Sequence, residues 1–377
     1  MTDIPTKMRR IVTEAKSGGT LEVRLDETDT PTPGPGQLLV KVEAAPINPS
    51  DLALLLGVAD PSTATSTGSA DAPALSMPLP EIAMRMMAGR LDRAMPLGNE
   101  GSGVVVASGS PETEGMVGMR VAGAGGEMFA EYCLVPAALA MPLPEGTTAR
   151  EGASSFVNPM TALSMTEVMK RDGSKGLVHT AAASNLGQML QRICKADGIP
   201  LINIVRKPEQ QAILKDLGAD YALNLNDAEF MPQLIAACAE TDATIGFDAI
   251  GGGELAGKIV TAMEMAQQKK LTEYSRYGSD TMKHVYVYGR LDLSPVVVPP
   301  SVGMAWGVGG FLLTHFLGSI SPEKRMQMAG RVVSELKTTF ASHYTDEISL
   351  EEALDPAVMA KYNAKATGTK FLLTPTK

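Results

Sequence analysis

Apolar and polar side chains alternate along much of the first fifty residues. LEVRLDETD and LLVKVEAAPI switch character residue by residue, the period that turns one face of a β-strand to a core and the other to water. TPTPGPGQ between them is a turn cluster. Asn48-Pro49-Ser50-Asp51 then precedes the apolar run LALLLG. Ser50 or Asp51 is suited to accept bonds from the first N–H groups of a short helix, and Gly57 to close it. Residues 59–76 are rich in Ser, Thr, Ala, Asp and Pro and predict a loop, followed by a short Met-rich helix over EIAMRMMAGRL. Flexible Met side chains suit plain packing, the simpler reading, or an adaptable lid over a flat substrate. GNEGSGVVVASGS and GMRVAGAGGEMFAEYCLV predict further strands joined by glycine turns. Thr148-Ala-Arg-Glu151 is a capping box that opens a helix through EGASSF.

From Gly176 the period changes. Short apolar runs (GLVHTA, PLINIVR, DYALNLN, ATIGFDAIG, HVYVYGR, GGFLLTHFL) alternate with helical patterns (GQMLQRICKAD, PEQQAILKDLG, FMPQLIAACAE, GELAGKIVTAMEMA). Such alternation predicts a parallel sheet with helices on both faces, an α/β fold. Ser321-Pro322 starts a long amphipathic helix, and KYNAKATGTKFLLTP ends in a strand.

Composition narrows the function classes. A chain of 377 residues suggests two or three domains, and 44% hydrophobic with 20% charged residues excludes a disordered chain. The net charge of −9, without a basic stripe, argues against nucleic acid as a partner. Cys133, Cys194 and Cys238 stand too far apart for a disulfide framework or a zinc quartet, so a reducing, cytoplasmic location is expected. MTDIPTKMRR lacks the apolar core of a signal peptide. The apolar stretch 296–317 is interrupted by Pro299, Pro300, several Gly and His315, so no membrane partner is expected either.

The chemistry centres on GLVHTAAASNLGQMLQ and PLINIVRK. A buried strand runs into a turn of small residues, and Gly187 opens a helix whose N-terminus suits a pyrophosphate. Ala181, Ala182, Ala183, Ser184 and Asn185 stand where a dinucleotide fingerprint has glycines, so the turn alone also fits a tight strand-to-helix connection. The next strand ends in Arg206-Lys207. A guanidinium there pairs with a 2′-phosphate and a carboxylate would repel it, which favours NADPH; solvated loop residues are the plainer alternative.

Taken in order, PINPSD, GNEGSGVV, FVNPMTAL, AAASNLGQ, INIVR, FDAIGGG, YGRL and GFLL resemble landmarks of the medium-chain dehydrogenase/reductase family, of its zinc-independent NADPH:quinone oxidoreductase and 2-enoyl thioester reductase types. The likeness runs along nearly the whole chain. It implies a GroES-like, β-rich catalytic domain from residues 1–155 and 335–377, with an insertion at 59–90. Between these lies a Rossmann-fold cofactor domain, a doubly wound parallel sheet, at 156–334. It implies NADPH as cofactor. On matching positions Asn48 lies beside the nicotinamide and ribose, and Asn158 and Thr161 line the nicotinamide end. Asn48 and Thr161 are the candidates nearest the chemistry. Ser184, Asn185, Leu186 and Gly187 cradle the pyrophosphate, and Arg206 with Lys207 takes the 2′-phosphate. Gly251 and Gly252 end the fourth strand, and Tyr288, Gly289 and Arg290 the fifth. Phe311 and Leu312 pack near the nicotinamide, and Lys370 reaches the cofactor from the C-terminal segment.

Zinc-dependent relatives have a GHE motif where this chain has Gly98-Asn99-Glu100. The four His stand alone, so no zinc is expected. The family tyrosine after the NPSD motif is also missing, because LALLLGVAD has Ala53 and Val58 but no Tyr. The proton donor is therefore unassigned, which favours a quinone or reactive enone as acceptor. The alternatives are 2-enoyl thioester reduction with water as donor, and a catalytically idle NADPH-binding sensor or structural protein. The segment KKLTEYSRYGSDTMK is either a surface loop or a cover for the adenosine. A homodimer is expected through a strand at 310–317, paired with its two-fold mate as the resemblance implies, with Trp306 as interface filler.

Overall fold

LEVRLDETD becomes the strand Thr20–Asp29, with Leu21, Val23 and Leu25 buried on alternate positions. It runs antiparallel to Lys7–Lys16, from Lys7 opposite Asp29 to Lys16 opposite Thr20. The computed structural model describes residues 4–364 and 366–376, so Met1, Thr2 and Asp3 of the segment read for a signal peptide lie outside the described residues. Lys7–Lys16 escapes a periodicity reading because Ile11 to Ala15 are buried consecutively, both faces being covered.

The chain divides into two units, Met1–Val157 with Arg331–Lys377, and Asn158–Gly330. In the first, a five-stranded sheet has the order Thr65–Ser66, Ala74–Pro78, Thr20–Asp29, Lys7–Lys16, Met95–Pro96. The stretch expected as a loop at 59–76 thus supplies two strands. Ala74–Pro78 pairs with Thr20–Asp29 and buries Leu75 and Met77, and Thr65–Ser66 adds to its other side by backbone pairing. A seven-stranded sheet runs Ala140–Pro142, Arg120–Gly123, Gly101–Ser108, Gln37–Pro46, Phe371–Leu373, Asp346–Ile348, with Tyr132–Pro136 also on Gln37–Pro46. The C-terminal strand places Leu372 opposite Pro46, and the Ile47 N–H bonds the Phe371 carbonyl at 3.0 Å. Lys370 is thereby carried next to Asn48.

Two helix readings are corrected. The cap of the Pro49–Leu55 helix is Asn48, not Ser50 or Asp51; Asp51 sits in the first turn and accepts the Asn48 N–H at 2.9 Å. The Thr148 capping box forms, but its helix is the single turn Ala149–Gly152. It stops there because the Phe156 and Val157 amides bond the Glu100 carboxylate, and a new helix, Val157–Arg171, begins.

In the second unit six parallel strands take the order Tyr221–Asn224, Leu201–Val205, Gly176–Thr180, Ala243–Asp248, Lys283–Val287, Trp306–Gly310. In chain sequence this is 3-2-1-4-5-6, the doubly wound arrangement. Its central strands are buried throughout and pack Val178, Ile202, Ile204 and Val285 against Ile259 and Met263. The last apolar run was expected as one strand through Leu317. The strand ends at Gly310, and Leu313–Ser319 is a helix. Phe311 donates the final ladder bond, to the Val287 carbonyl, and the Phe316 N–H then bonds Leu312 at helical spacing. Leu313, Phe316 and Leu317 recur at the helical period, hidden inside a continuous apolar run.

Of the two readings of KKLTEYSRYGSDTMK, the surface loop agrees with the structure, residues 271–277 being exposed, and the adenosine cover does not. The Tyr277 carbonyl accepts the Met304 N–H, and Lys283 begins the fifth strand, so TEYSRY sits at the amino ends of the strands, away from Arg206 at a carboxyl end. Beneath it the buried Lys283 ammonium pairs with buried Glu264, which also accepts from the Ser279 N–H and hydroxyl at 2.8 Å each. Trp306 donates its indole N–H to the Gly303 carbonyl at 3.1 Å and packs against the unit's core. Among the described residues no helix is long and apolar enough to cross a membrane, and no group of three or more His, Cys, Asp and Glu is arranged to hold a metal ion.

Candidate active site

In the first unit the NPSD and GNE segments meet at a buried polar cluster. Asn48 is held at both ends: its N–H goes to Asp51, and its side-chain Nδ2 donates to Glu100 Oε1 at 2.8 Å. The other Glu100 oxygen takes the Phe156 and Val157 amides at 2.9 and 2.8 Å, and Asp51 Oδ1 takes the Asn99 N–H at 2.8 Å. Asn48, Asp51 and Glu100 are all buried. Burial pushes the Asp51 carboxyl up to about 7 against these amide bonds, and raises Glu100 as well.

Lys370 completes the cluster. Its Nζ is sealed from solvent without a hydrogen-bond partner and lies 5.6 Å from the Tyr344 ring centre, while the Tyr344 hydroxyl bonds Ser154 at 2.8 Å. Burial lowers its ammonium to about 8, opposed by Glu100 and Asp51. A sealed ammonium with three donors and no hydrogen-bond acceptor is unusual; its compensation here is Coulombic, from Glu100 and Asp51, with the Tyr344 ring alongside. The motifs do not single out Glu100, Asp51 or Tyr344 as site residues: GNE stands out as a landmark and for its missing His, and Asp51 as a helix cap.

In the second unit the remaining candidates cluster for a topological reason. Ser184 to Gly187, Arg206 and Lys207, Gly251 and Gly252, Tyr288 to Arg290, and Phe311 and Leu312 each follow a parallel strand, so all gather at the carboxyl edge of one sheet. The turn after Gly176–Thr180 is tight: Ser184 Oγ accepts the Gly187 N–H at 3.2 Å, and a Cβ on Gly187 would stand 2.2 Å from the Ala182 carbonyl oxygen. Ala181 has φ 49°, a left-handed conformation costly for any residue with a Cβ. Arg206 is exposed, and among the described residues neither it nor Lys207 forms an ion pair. The Arg206 backbone is fixed by Gln210 and Asn226. Glu209 lies within the following helix, Pro208–Asp216.

Asp248, fully buried, accepts the Thr180 hydroxyl at 2.6 Å and the Ile250 and Gly251 amides at 3.0 Å each, which fixes the fourth-strand turn. Gly251 has φ 85°, and a Cβ there would meet the Gly289 carbonyl at 2.6 Å. Thr161 is buried and Asn158 half-buried on the Val157–Arg171 helix. Phe311 packs edge-on against Phe247, whereas Leu312 is 65% exposed. Within the second unit, small side chains at the turn and a basic strand end without an ion pair among the described residues are the donor set a phosphorylated dinucleotide needs, and these residues fit NADPH.

Comparison with known proteins agrees. Residues 34–145 match the alcohol dehydrogenase GroES-like domain. Prostaglandin reductase-3 of Bos taurus is 27% identical over 377 residues, covering 96% of this chain and 89% of its own. The mitochondrial enoyl-[acyl-carrier-protein] reductase of Xenopus tropicalis is 28% identical over 305 residues, 76% of this chain and 71% of its own. A solved structure from Mesorhizobium loti, described as an NADPH:quinone reductase, is 28% identical with a TM-score of 0.75 over 99% of this chain and 100% of that one. A GroES-like unit and a 3-2-1-4-5-6 parallel sheet, with relatives of these kinds along the whole length, make this chain similar throughout to oxidoreductases of the medium-chain dehydrogenase/reductase family.

Proposed function

We propose that this chain uses NADPH to reduce a quinone or a reactive enone, without zinc. The observation that carries the cofactor choice is the second parallel strand ending in exposed Arg206 and Lys207 with no carboxylate bound to either. An acidic residue at that place would favour NADH. When bound, NADPH supplies the hydride. Ser184 and the first turn of the Asn185–Asp197 helix offer N–H groups and a helix N-terminus to the pyrophosphate, and Arg206 pairs with the 2′-phosphate. Lys370 offers its ammonium to an anion, and Asn48, fixed by Glu100, keeps its second amide hydrogen for a ligand. The quinone or enone preference rests on the Pro49–Leu55 helix, where Leu52 and Leu55 are buried, and on LALLLGVAD, which has no tyrosine after the NPSD segment. An already electrophilic acceptor needs position and exclusion of water more than a protein acid.

Reduction of 2-enoyl thioesters is the second reading, favoured by the likeness to an enoyl-[acyl-carrier-protein] reductase. Loss of NADPH absorbance on addition of quinones, enones and enoyl thioesters decides between them. Turnover of quinones or enones supports the first reading, turnover of thioesters alone replaces it with the second, and cofactor binding without any turnover favours an idle sensor or structural protein. A cytoplasmic homodimer completes the proposal: its three cysteines are all free and buried, and Trp306–Gly310 leaves a sheet edge without a partner strand among the described residues.

A further inference from the structure

A buried imidazole and a half-buried phenol in the second unit do work that the turn and the basic strand end do not. His179, on the first parallel strand, has no exposed surface; its Nε2 lies 2.8 Å from the Tyr288 hydroxyl, and the rings stack 5.8 Å apart at 16°. The other nitrogen, Nδ1, is buried without a partner. Burial lowers His179 to about 3, so the imidazole is neutral and carries one proton. On Nδ1 that proton would be a buried N–H without an acceptor, a costlier orphan than a bare lone pair. It therefore sits on Nε2 and is donated to the Tyr288 oxygen. The hydrogen of Tyr288 itself is then left over, and no other partner for this hydroxyl occurs among the described residues.

That spare hydrogen sits at a defined place. Tyr288 follows the fifth strand, and its N–H is tied to the Asp248 carbonyl at 2.9 Å, beside the Thr180–Asp248 pair that fixes the neighbouring turn. Across the sheet the order is second strand, first, fourth, fifth. With the 2′-phosphate at Arg206 on the second and the pyrophosphate at the turn after the first, a dinucleotide laid across this edge brings its nicotinamide end to the fourth and fifth. The carboxamide oxygen is the acceptor available there.

We propose that the Tyr288 hydroxyl, held in place by His179, donates a hydrogen bond to the carboxamide oxygen of the bound nicotinamide. Tyr288 is thus a cofactor contact and His179 a positioning residue; the assignment rests on the cofactor reading above. The test is calorimetric titration of wild type and Tyr288→Phe with NADPH and with 2′,5′-ADP, which has the phosphates but no nicotinamide. NADPH should bind the variant about threefold to tenfold more weakly, the range of one neutral hydrogen bond, with 2′,5′-ADP unchanged. Wild type should also disfavour the thionicotinamide analogue, whose sulfur accepts poorly, and Tyr288→Phe should lose that discrimination. Nitrogen NMR of imidazole-labelled protein should find the His179 proton on Nε2. Unchanged NADPH affinity in the variant, equal loss of both ligands, or a proton on Nδ1 overturns the proposal while leaving the cofactor reading intact. A wild-type chain that binds neither ligand overturns both.

Discussion

Arg206 and Lys370 are the two cations for which the proposed function gives an anionic partner, and they differ in burial. Arg206 is exposed at the end of the second parallel strand. Removing a charge-assisted phosphate contact costs about 1.5–3 kcal/mol, and Arg206→Ala should erase most of an NADPH-over-NADH preference of roughly tenfold or more. A variant that keeps the preference would show that the 2′-phosphate is read elsewhere. Lys370 is pulled down to about 8 by burial, against the pull of Glu100 and Asp51. The protonated form is the one that attracts a phosphate. Its contribution is complete well below pH 8 and fades as pH rises through that value. NADPH affinity measured from pH 7 to 9 should fall across this window in wild type and stay flat in Lys370→Met. A slope that persists in Lys370→Met would assign the titration to another group. Arg206 was legible because its chemistry depends on sequence position after a strand. The environment of Lys370 was not, since Glu100, Asp51 and Tyr344 lie far from it along the chain.

At the level of elements, the strand–turn–helix after Gly176 holds a conflict that only coordinates reveal. Ala181 occupies a left-handed φ that glycine adopts freely. Ala181→Gly should raise stability by about 0.5–1 kcal/mol after glycine's greater unfolded-state freedom is counted, read as a higher denaturation midpoint. No gain would mean that the surrounding turn relaxes around the alanine. Gly187 is the opposite case, where any Cβ would press on the Ala182 carbonyl. The Glu264–Lys283 pair is a second element-scale device. It ties the helix Leu255–Gln268 to the start of the fifth strand and to the loop at Ser279. Glu264→Gln leaves the Lys283 charge buried without its counterion and should cost about 3–5 kcal/mol in denaturant unfolding. A loss below 1 kcal/mol would show that the neutral amide and Ser279 satisfy the ammonium. Elements with a pure period were readable: Thr20–Asp29 alternates, and Asn185–Asp197 recurs at the helical spacing. Lys7–Lys16 and Leu313–Ser319 were not, because burial on both faces and a continuous apolar run each erase the period.

For the whole molecule the open question is what covers the sixth strand. Phe311 sends its N–H inward to the Val287 carbonyl, so Gly309 and Gly307 face the same way and the N–H groups of Val308 and Gly310 point to the open side. Such an edge invites a partner, and a two-fold axis would pair it with its own copy running antiparallel. Leu313, which a longer strand would have placed at the seam, begins a helix and is a poor site for a test. Gly310 is a better one. A Cβ there meets nothing within 4 Å, and its φ is not in the left-handed region. Gly310→Pro removes one outward donor without taking any bond from the internal ladder. Light scattering at micromolar concentration should return a dimer for wild type and a shift towards monomer for Gly310→Pro, with the unfolding midpoint little changed. A wild-type monomer would sink the assembly, and an intact Gly310→Pro dimer would move the seam away from this strand.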